Sequence, residues 1–313
     1  MSETASTEPG KIRLRLPATS ANLGPGFDAV AIALDFYLEI EAEPADRFSI
    51  AATGRDAERC AGLEDNLIIE AYKRLLRSHQ REIVPLAIGM HNQIPLGMGC
   101  GSSAAGRLAA IVLANHFGRL GFSTEDVLDE AYMLEGHPDN VSACWLGGFV
   151  ASVCEGRHVH PVHVAPLDEW QAIVAIPAEP LPTSVARSVL PASYWLHDVV
   201  QNLQSVSLLG LAFERGRGDL LRLAMQDKVH QPYRAAICPL LPLVLPLAGE
   251  HGILGASLSG AGPSVLVIVD HESNLDTALA ALRQAVAATE NVELLTSKFV
   301  TCGAKDLIQT GRI

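Results

Sequence analysis

Pro95-Leu-Gly-Met-Gly-Cys-Gly-Ser-Ser-Ala-Ala105 is the stretch on which the fold turns. Three alternate glycines, Gly97, Gly99 and Gly101, let the backbone turn sharply and present successive N–H groups. Ser102 and Ser103 then open a helix of small residues that runs to about Asn115. A helix N-terminus carries unpaired N–H donors and the positive end of the dipole, so the stretch reads as a phosphate cradle. The two hydroxyls can add a phosphate contact and a Mg²⁺ ligand. Ala104 and Ala105 let the first helical turn sit against a neighbouring backbone. No Lys precedes the serines, so a P-loop is excluded. Residues 92–95 separate the glycines from the strand before them, which weakens a dinucleotide fingerprint. The alternative is a tight turn followed by an ordinary helix cap.

Toward the N-terminus, residues 84–90 read as a strand and 65–76 as a helix, with Leu67, Ile68, Ala71, Leu75 and Leu76 on one face. Residues 29–43 read as one or two strands, 17–28 as turn, and the alternating 11–16 (KIRLRL) as a half-buried strand. Toward the C-terminus, Ser123 caps a helix that ends near Glu135, with acidic residues in its first turn. Beyond it come a strand at 172–176, helices at 198–213 and 217–227, a Gly/Ser loop at 255–264, a strand at 265–269 and a helix at 274–288. Strands and helices mixed in both halves indicate α/β or α+β architecture. The 313 residues suit two domains, expected at 1–160 and 161–313.

Bulk properties narrow the function. The net charge of −12 repels nucleic-acid phosphates and anionic lipids, so neither a nucleic acid nor a membrane is an expected partner. No run of about 18 apolar residues occurs. The start, MSETASTEPG, lacks the apolar stretch of a signal peptide. The six cysteines form no CxxC, so disulfides and zinc are disfavoured and a cytoplasmic location is expected.

Further stretches concentrate chemistry. Pro17-Ala-Thr-Ser-Ala-Asn-Leu-Gly-Pro-Gly-Phe-Asp28 places Asn22 and Asp28 on a rigid loop, where a carboxylate beside an amide suits an amino or hydroxyl group of a ligand; an Asx-turn is the plainer reading. Glu135-Gly-His-Pro-Asp-Asn140 packs two carboxylates, an imidazole and an amide into six positions, which a solvated loop ending a helix would also explain. Arg187 and Arg234 are lone arginines of the kind usually found on surfaces. Ala256-Ser-Leu-Ser-Gly-Ala-Gly-Pro-Ser264 reads as a tight Gly-rich turn before an apolar strand.

These motifs together resemble the homoserine kinases of the GHMP small-molecule kinase family, over about residues 12–270. The glycine stretch is similar to that family's central Pro-x-x-x-Gly-Leu-Gly-Ser-Ser-Ala motif, with Cys100 in place of Leu, a swap that leaves room for a reactive thiol. The resemblance implies an α+β, two-domain GHMP-kinase fold, with an N-terminal domain like ribosomal protein S5 domain 2 and a ferredoxin-like C-terminal domain. It implies ATP and Mg²⁺ as cofactors and L-homoserine as the small-molecule substrate, with a homodimer as the one oligomer entertained. ATP would lie on Pro95, Leu96, Gly97, Met98, Gly99, Cys100, Gly101, Ser102, Ser103, Ala104 and Ala105, flanked by Asn66, for which a helix cap is the equal alternative. Ser103 and Glu135 would hold the metal. Asn22, Asp28, His137, Asn140, Thr183, Arg187 and Arg234 would hold homoserine, with Asp28 on the ammonium and the two arginines on the carboxylate. Glu135, Ser103, Asp139, Asn140 and Arg187 form the expected catalytic set, with Asp139 the positional candidate for a base. Another GHMP kinase substrate, or a silent metabolite sensor of the same fold, is the alternative.

Overall fold

The computed structural model describes residues 10–311; the polar start lies, but for Gly10, outside the described residues. The first hairpin sets the frame. In β1 (Ile12–Asn22), Ile12, Leu14 and Leu16 face inward, while Arg13 and Arg15 face outward and pair with Glu41 and Glu39 on β2 (Gly26–Pro44). Pro17–Asn22 are not turn, as the Gly- and Pro-rich composition suggested, but continue the strand past an irregularity at Pro17/Ala18. Only residues 23–25 turn, because cross-strand pairing along β2 overrides local propensity.

The first layer continues through β3 (Ser49–Gly54), α1 (Ala57–Ala61), α2 (Leu67–Ser78), β4 (Leu86–Asn92), α3 (Ser102–Gly118), α4 (Thr124–Glu135), α5 (Asp139–Leu146), β5 (Phe149–Glu155) and β6 (His158–Val164). With the C-terminal β11 (Gln309–Thr310) at one edge, its strands run in the order β11-β1-β2-β4-β3, while β5 pairs onto the start of β2 and β6 onto β5. The long α3 is buried nearly all round, and its glycines permit this: a Cβ on Gly118 would meet Leu76 Cδ2 at 2.2 Å. Ser123 caps α4, as the sequence suggests, and Asp126 completes a reciprocal capping box that fixes its start.

The second layer holds β7 (Gln171–Ile176), α6 (Thr183–Ser188), α7 (Leu196–Glu214), α8 (Leu221–Ala224), α9 (Gln231–Arg234), α10 (Leu241–Val244), β8 (Ile253–Leu258), β9 (Val265–Val269), α11 (Leu275–Ala285) and β10 (Glu293–Lys298). Its antiparallel sheet has the order β10-β7-β9-β8, the ferredoxin-like arrangement. The expected helix at 217–227 is broken into a 3₁₀ turn and the short α8, since Gly218 packs on Trp170 and Leu254 and the chain must then turn at Asp227. The expected loop at 255–264 is strand to Leu258 and turn only afterwards. The anticipated division after residue 160 falls inside β6; the chain leaves the first sheet after Val164 and enters the second at Gln171. It returns to the first sheet as β11 (Gln309–Thr310) beside Ile12 and Arg13.

The two sheets share a hydrophobic cluster. Phe213 of α7 stacks on Phe149 of β5 at 4.2 Å between centroids and meets Trp170, just before β7, edge-on at 5.4 Å. Phe213 is 1% exposed. We expect Phe213→Ala to destabilise the protein by about 3–5 kcal/mol, the scale of emptying an aromatic site in a core. Urea denaturation followed by tryptophan fluorescence checks this; an unchanged midpoint would mean that the cluster does not tie the sheets together.

Candidate active site

The glycine stretch follows β4 and is held by the Gly-rich turn at 259–264. Gly97, Gly99 and Gly101 all have positive φ, at 75°, 79° and 73°. A Cβ on Gly99 would meet Ser259 O at 2.2 Å and Gly262 O at 2.9 Å; one on Gly101 would meet Thr19 Oγ1 at 1.9 Å. Ser259 Oγ donates to Gly99 O at 2.7 Å and contacts Ser20 Oγ at 2.8 Å, while Thr19 N donates to Cys100 O at 3.1 Å. The loop is thus clamped between β1 and the 259–264 turn. No side chain caps α3, so its first N–H groups are left for a ligand.

One cavity gathers most of the residues singled out in the sequence. Gly97, Gly99, Gly101, Ser102 and Ser103 form one wall. Glu135, His137, Asp139 and Asn140 form a second, and Asn22, Asp28, Thr183, Arg187 and Arg234 a third. Pro95, Leu96, Met98, Cys100, Ala104, Ala105 and Asn66 are not among the residues that line it. Asn66 caps α2: its Oδ1 accepts from Ile68 N and Ile69 N, and its Nδ2 donates to Cys60 O and Gly62 O. Cys100 is buried, and burial pushes its thiol up to about 12, so the reactive thiol that its position suggested is not there.

The second wall is tightly wired. Ser103 Oγ donates to Glu135 Oε2 at 3.1 Å. The same oxygen takes an ion pair from Arg107, one turn further along α3. Glu135 Oε1 lies 3.8 Å from His137 Nε2. Asp139 Oδ1 is contacted by His137 Nδ1 at 2.7 Å and accepts from Asn140 N at 2.6 Å, and Asn140 Oδ1 accepts from Thr19 Oγ1 at 2.7 Å. Burial opposes a charge on His137, but the bond to Asp139 and the nearby Glu135 and Asp28 carboxylates outweigh it, so its pKa is raised.

The third wall carries opposite charges. Asp28, held at φ 55° with its N–H on Asn22 Oδ1, forms a bidentate pair with Arg187 at 2.8–3.0 Å. Asn22 Nδ2 in turn donates to Gly260 O at 2.7 Å, so this amide both lines the cavity and ties two loops. Arg234 is 1% exposed and has no carboxylate partner among the described residues; its Nε donates to Ala186 O and its Nη1 to Gly260 O and His230 Nδ1. Both guanidinium carbons lie over the Phe27 ring, at 5.5 and 5.3 Å. Sequence reasoning passed over Arg107, Thr19, Phe27 and His230. Arg107 could have been found as the one Lys, Arg, Asp or Glu in its helix; Thr19 and Phe27 stand inside the quoted 17–28 stretch, and His230 lies four residues before Arg234.

The clamp on the loop can be tested. Gly99→Ala places a methyl group against Ser259 O at a φ that L-residues rarely adopt. We expect ATP affinity to fall by at least about tenfold while the fold is kept, as for the loss of one to two charge-assisted N–H contacts. Calorimetric titration on the folded variant is the measurement, and wild-type affinity would remove the loop from the nucleotide site.

Comparison with known proteins gives the same frame. The GHMP kinases N terminal domain family matches residues 66–148, and the GHMP kinases C terminal family matches 211–288. The homoserine kinase of Solibacter usitatus is 43% identical over 258 residues, 82% of this chain and 84% of its own length. That of Deinococcus radiodurans is 38% identical, over 84% and 86%. The crystal structure of homoserine kinase from Cytophaga hutchinsonii superposes with a TM-score of 0.80 at 26% identity, covering 99% of both chains. With its motifs gathered in one cavity on that two-domain frame, the chain belongs to the homoserine kinases of the GHMP kinase family.

Proposed function

We propose that the protein transfers the γ-phosphoryl group of ATP to the terminal hydroxyl of L-homoserine, giving O-phospho-L-homoserine for threonine biosynthesis in the cytoplasm. One observation carries this reading: an uncapped helix N-terminus and a carboxylate–guanidinium cluster face each other across a single cavity. The first suits phosphate and the second suits an amino-acid zwitterion.

In this reading, loop N–H groups and the α3 terminus meet the charge that spreads over the phosphoryl oxygens. Asp28 takes the substrate ammonium, and Arg187 and Arg234 take its carboxylate. Thr183, His137 and Asn140 complete the pocket and aim the hydroxyl at the phosphorus. Without substrate, Asp28 and Arg187 neutralise each other. A zwitterion can replace both partners of that pair at once, whereas a ligand with one charge leaves the other partner bare. Asp139 Oδ1 is occupied by His137 and Asn140, so we assign the hydroxyl proton to the phosphoryl oxygens instead of to a dedicated base.

Two donor sets could hold Mg²⁺. Ser103 and Glu135 offer hard oxygen donors beside the phosphate cradle, and none of the described hydrogen bonds uses Glu135 Oε1, which lies 3.8 Å from His137 Nε2. Asp28, His137 and Asp139 also converge within 4.8 Å, but their atoms are engaged with Arg187 and with one another. The first set fits; when bound there, the ion would neutralise charge on the nucleotide phosphates.

ADP release with homoserine, mevalonate, galactose and no acceptor tests the assignment; homoserine alone should support turnover. Glu135→Gln keeps size and loses charge, so turnover should fall at least about a hundredfold. Wild-type turnover with unchanged Mg²⁺ dependence would free Glu135 of the metal role. Asp28→Asn should raise the homoserine KM strongly and leave ATP affinity intact. A desolvated charge contact is worth about 2–5 kcal/mol on truncation. Wild type should therefore discriminate strongly against 4-hydroxybutyrate, which lacks only the ammonium, and Asp28→Asn much less. Equal discrimination by both proteins would show that Asp28 does not read the ammonium.

A further inference from the structure

Arg234 is an unusual side chain: a guanidinium 1% exposed with no counter-charge at hydrogen-bond distance among the described residues. Desolvation, then the Arg187 charge, lowers its pKa, so the site works against the ion it contains. What holds it is a set of neutral acceptors. Ala186 O takes Nε at 3.0 Å, Gly260 O takes Nη1 at 3.3 Å and His230 Nδ1 faces Nη1 at 3.2 Å. None of the described hydrogen bonds uses Nη2, and Arg234 lines the cavity.

The imidazole is the acceptor whose chemistry is conditional. On its far side, His230 Nε2 lies 2.8 Å from Gly24 O. A carbonyl can only accept and a guanidinium can only donate. The proton must therefore sit on Nε2, and Nδ1 must present a lone pair to Arg234. The ring is fully buried, stacked obliquely on Phe27 at 5.3 Å, and its backbone N–H is fixed by Asp227 Oδ2 at 2.9 Å. The charged groups around it are Asp227, whose Oδ2 is 3.5 Å from Nε2, Arg234 itself, and Asp28 with Arg187 across the cavity. Asp227 favours protonation, but desolvation, together with Arg234, outweighs it and lowers the pKa. Neutral His230 is thus bound at once to the turn of the first motif and to the carboxylate-binding arginine.

We propose that His230 is a positioning residue for homoserine: as the Nε2–H tautomer it anchors Arg234 to the Gly24 turn and so sets the direction in which the guanidinium meets the substrate carboxylate. This rests on the reading of Arg234 as carboxylate ligand. Protonation of His230 would turn its acceptor into a donor aimed at a cation, and Arg234 would lose its hold.

Two substitutions separate the two ends of the ring. His230→Gln places an amide near the Nε2 position and gives up the acceptor toward Arg234. His230→Asn keeps an oxygen near the Nδ1 position and gives up the tie to Gly24. In the full-length enzyme, His230→Gln should raise the homoserine KM about tenfold or more, the scale of a hydrogen bond to a charged group. The ATP KM, and kcat at saturating homoserine, should stay within about twofold. His230→Asn should raise the homoserine KM less. His230→Gln placed on Arg234→Lys should add nothing to the KM of the single variant. In wild type, ¹⁵N NMR should show one Nε2–H imidazole, lost in His230→Gln, that stays neutral below the usual histidine range. An unchanged KM in His230→Gln alongside a raised KM in Arg234→Lys would overturn the proposal and leave the homoserine reading standing. So would additive effects in the double variant, or an Nδ1–H tautomer. An Arg234→Lys enzyme with wild-type homoserine KM would sink both. Should His230→Gln fail to fold, the tautomer in wild type and the KM of His230→Asn decide: an Nδ1–H ring, or a rise as large as that of Arg234→Lys, counts against it.

Discussion

Everything at this site depends on one close approach, that of the Gly99 backbone to the carbonyls of Ser259 and Gly262. A side chain of any size is excluded there. The contact brings a loop from the first sheet against a turn of the second, and Gly97, Gly99 and Gly101 of that loop line the cavity. The hydroxyl of Ser259 locks the approach by donating to Gly99 O. Asn22 and Gly260 add a second tie between the same two regions, through Asn22 Nδ2 to Gly260 O and Gly260 N to Ala21 O. The stretches 17–28, 95–105 and 256–264 are thus one physical unit, although 160 residues separate Gly99 from Ser259.

Electrostatically, the cavity solves a problem set by the whole chain. A protein of net charge −12 must attract a polyanionic nucleotide and a zwitterion. Its answer is local: partial charges of backbone N–H groups at one end and two guanidinium groups at the other, with the Asp28 carboxylate paired to Arg187 and that of Glu135 to Arg107. Such pairing keeps the acidic groups from cancelling the field on which the phosphate relies.

Much of this was legible in the sequence, and the failures have a common cause. The helix start at Ser102 after the glycine turn, the N-cap at Ser123, the strand at Val265–Val269 and the convergence of Asp28, Glu135, Arg187 and Arg234 on one cavity were readable, because each rests on local chemistry or on a whole motif. Pro17–Asn22 misled because its Pro and Gly neighbours signal turn, whereas a long partner strand recruits it into the sheet. The helix at 217–227 misled because its apolar periodicity is real, but Gly218 and Asp227 serve packing and a turn. Asn66 could not be divided between cap and ligand by sequence, since both roles ask for the same side chain. Arg107 and His230 were missed because their meaning lies in partners 28 and 206 residues away.

The aromatic contact between the sheets also bears on how substrates enter. Phe149, Trp170 and Phe213 belong to one continuous core that includes Leu16 of the first sheet and Val174 and Ile268 of the second. A hinge opening of the two halves would therefore have to wet that core. The part-exposed ion pair at the cavity, between Asp28 and Arg187 of the short helix Thr183–Ser188, can by contrast be broken without disturbing that core.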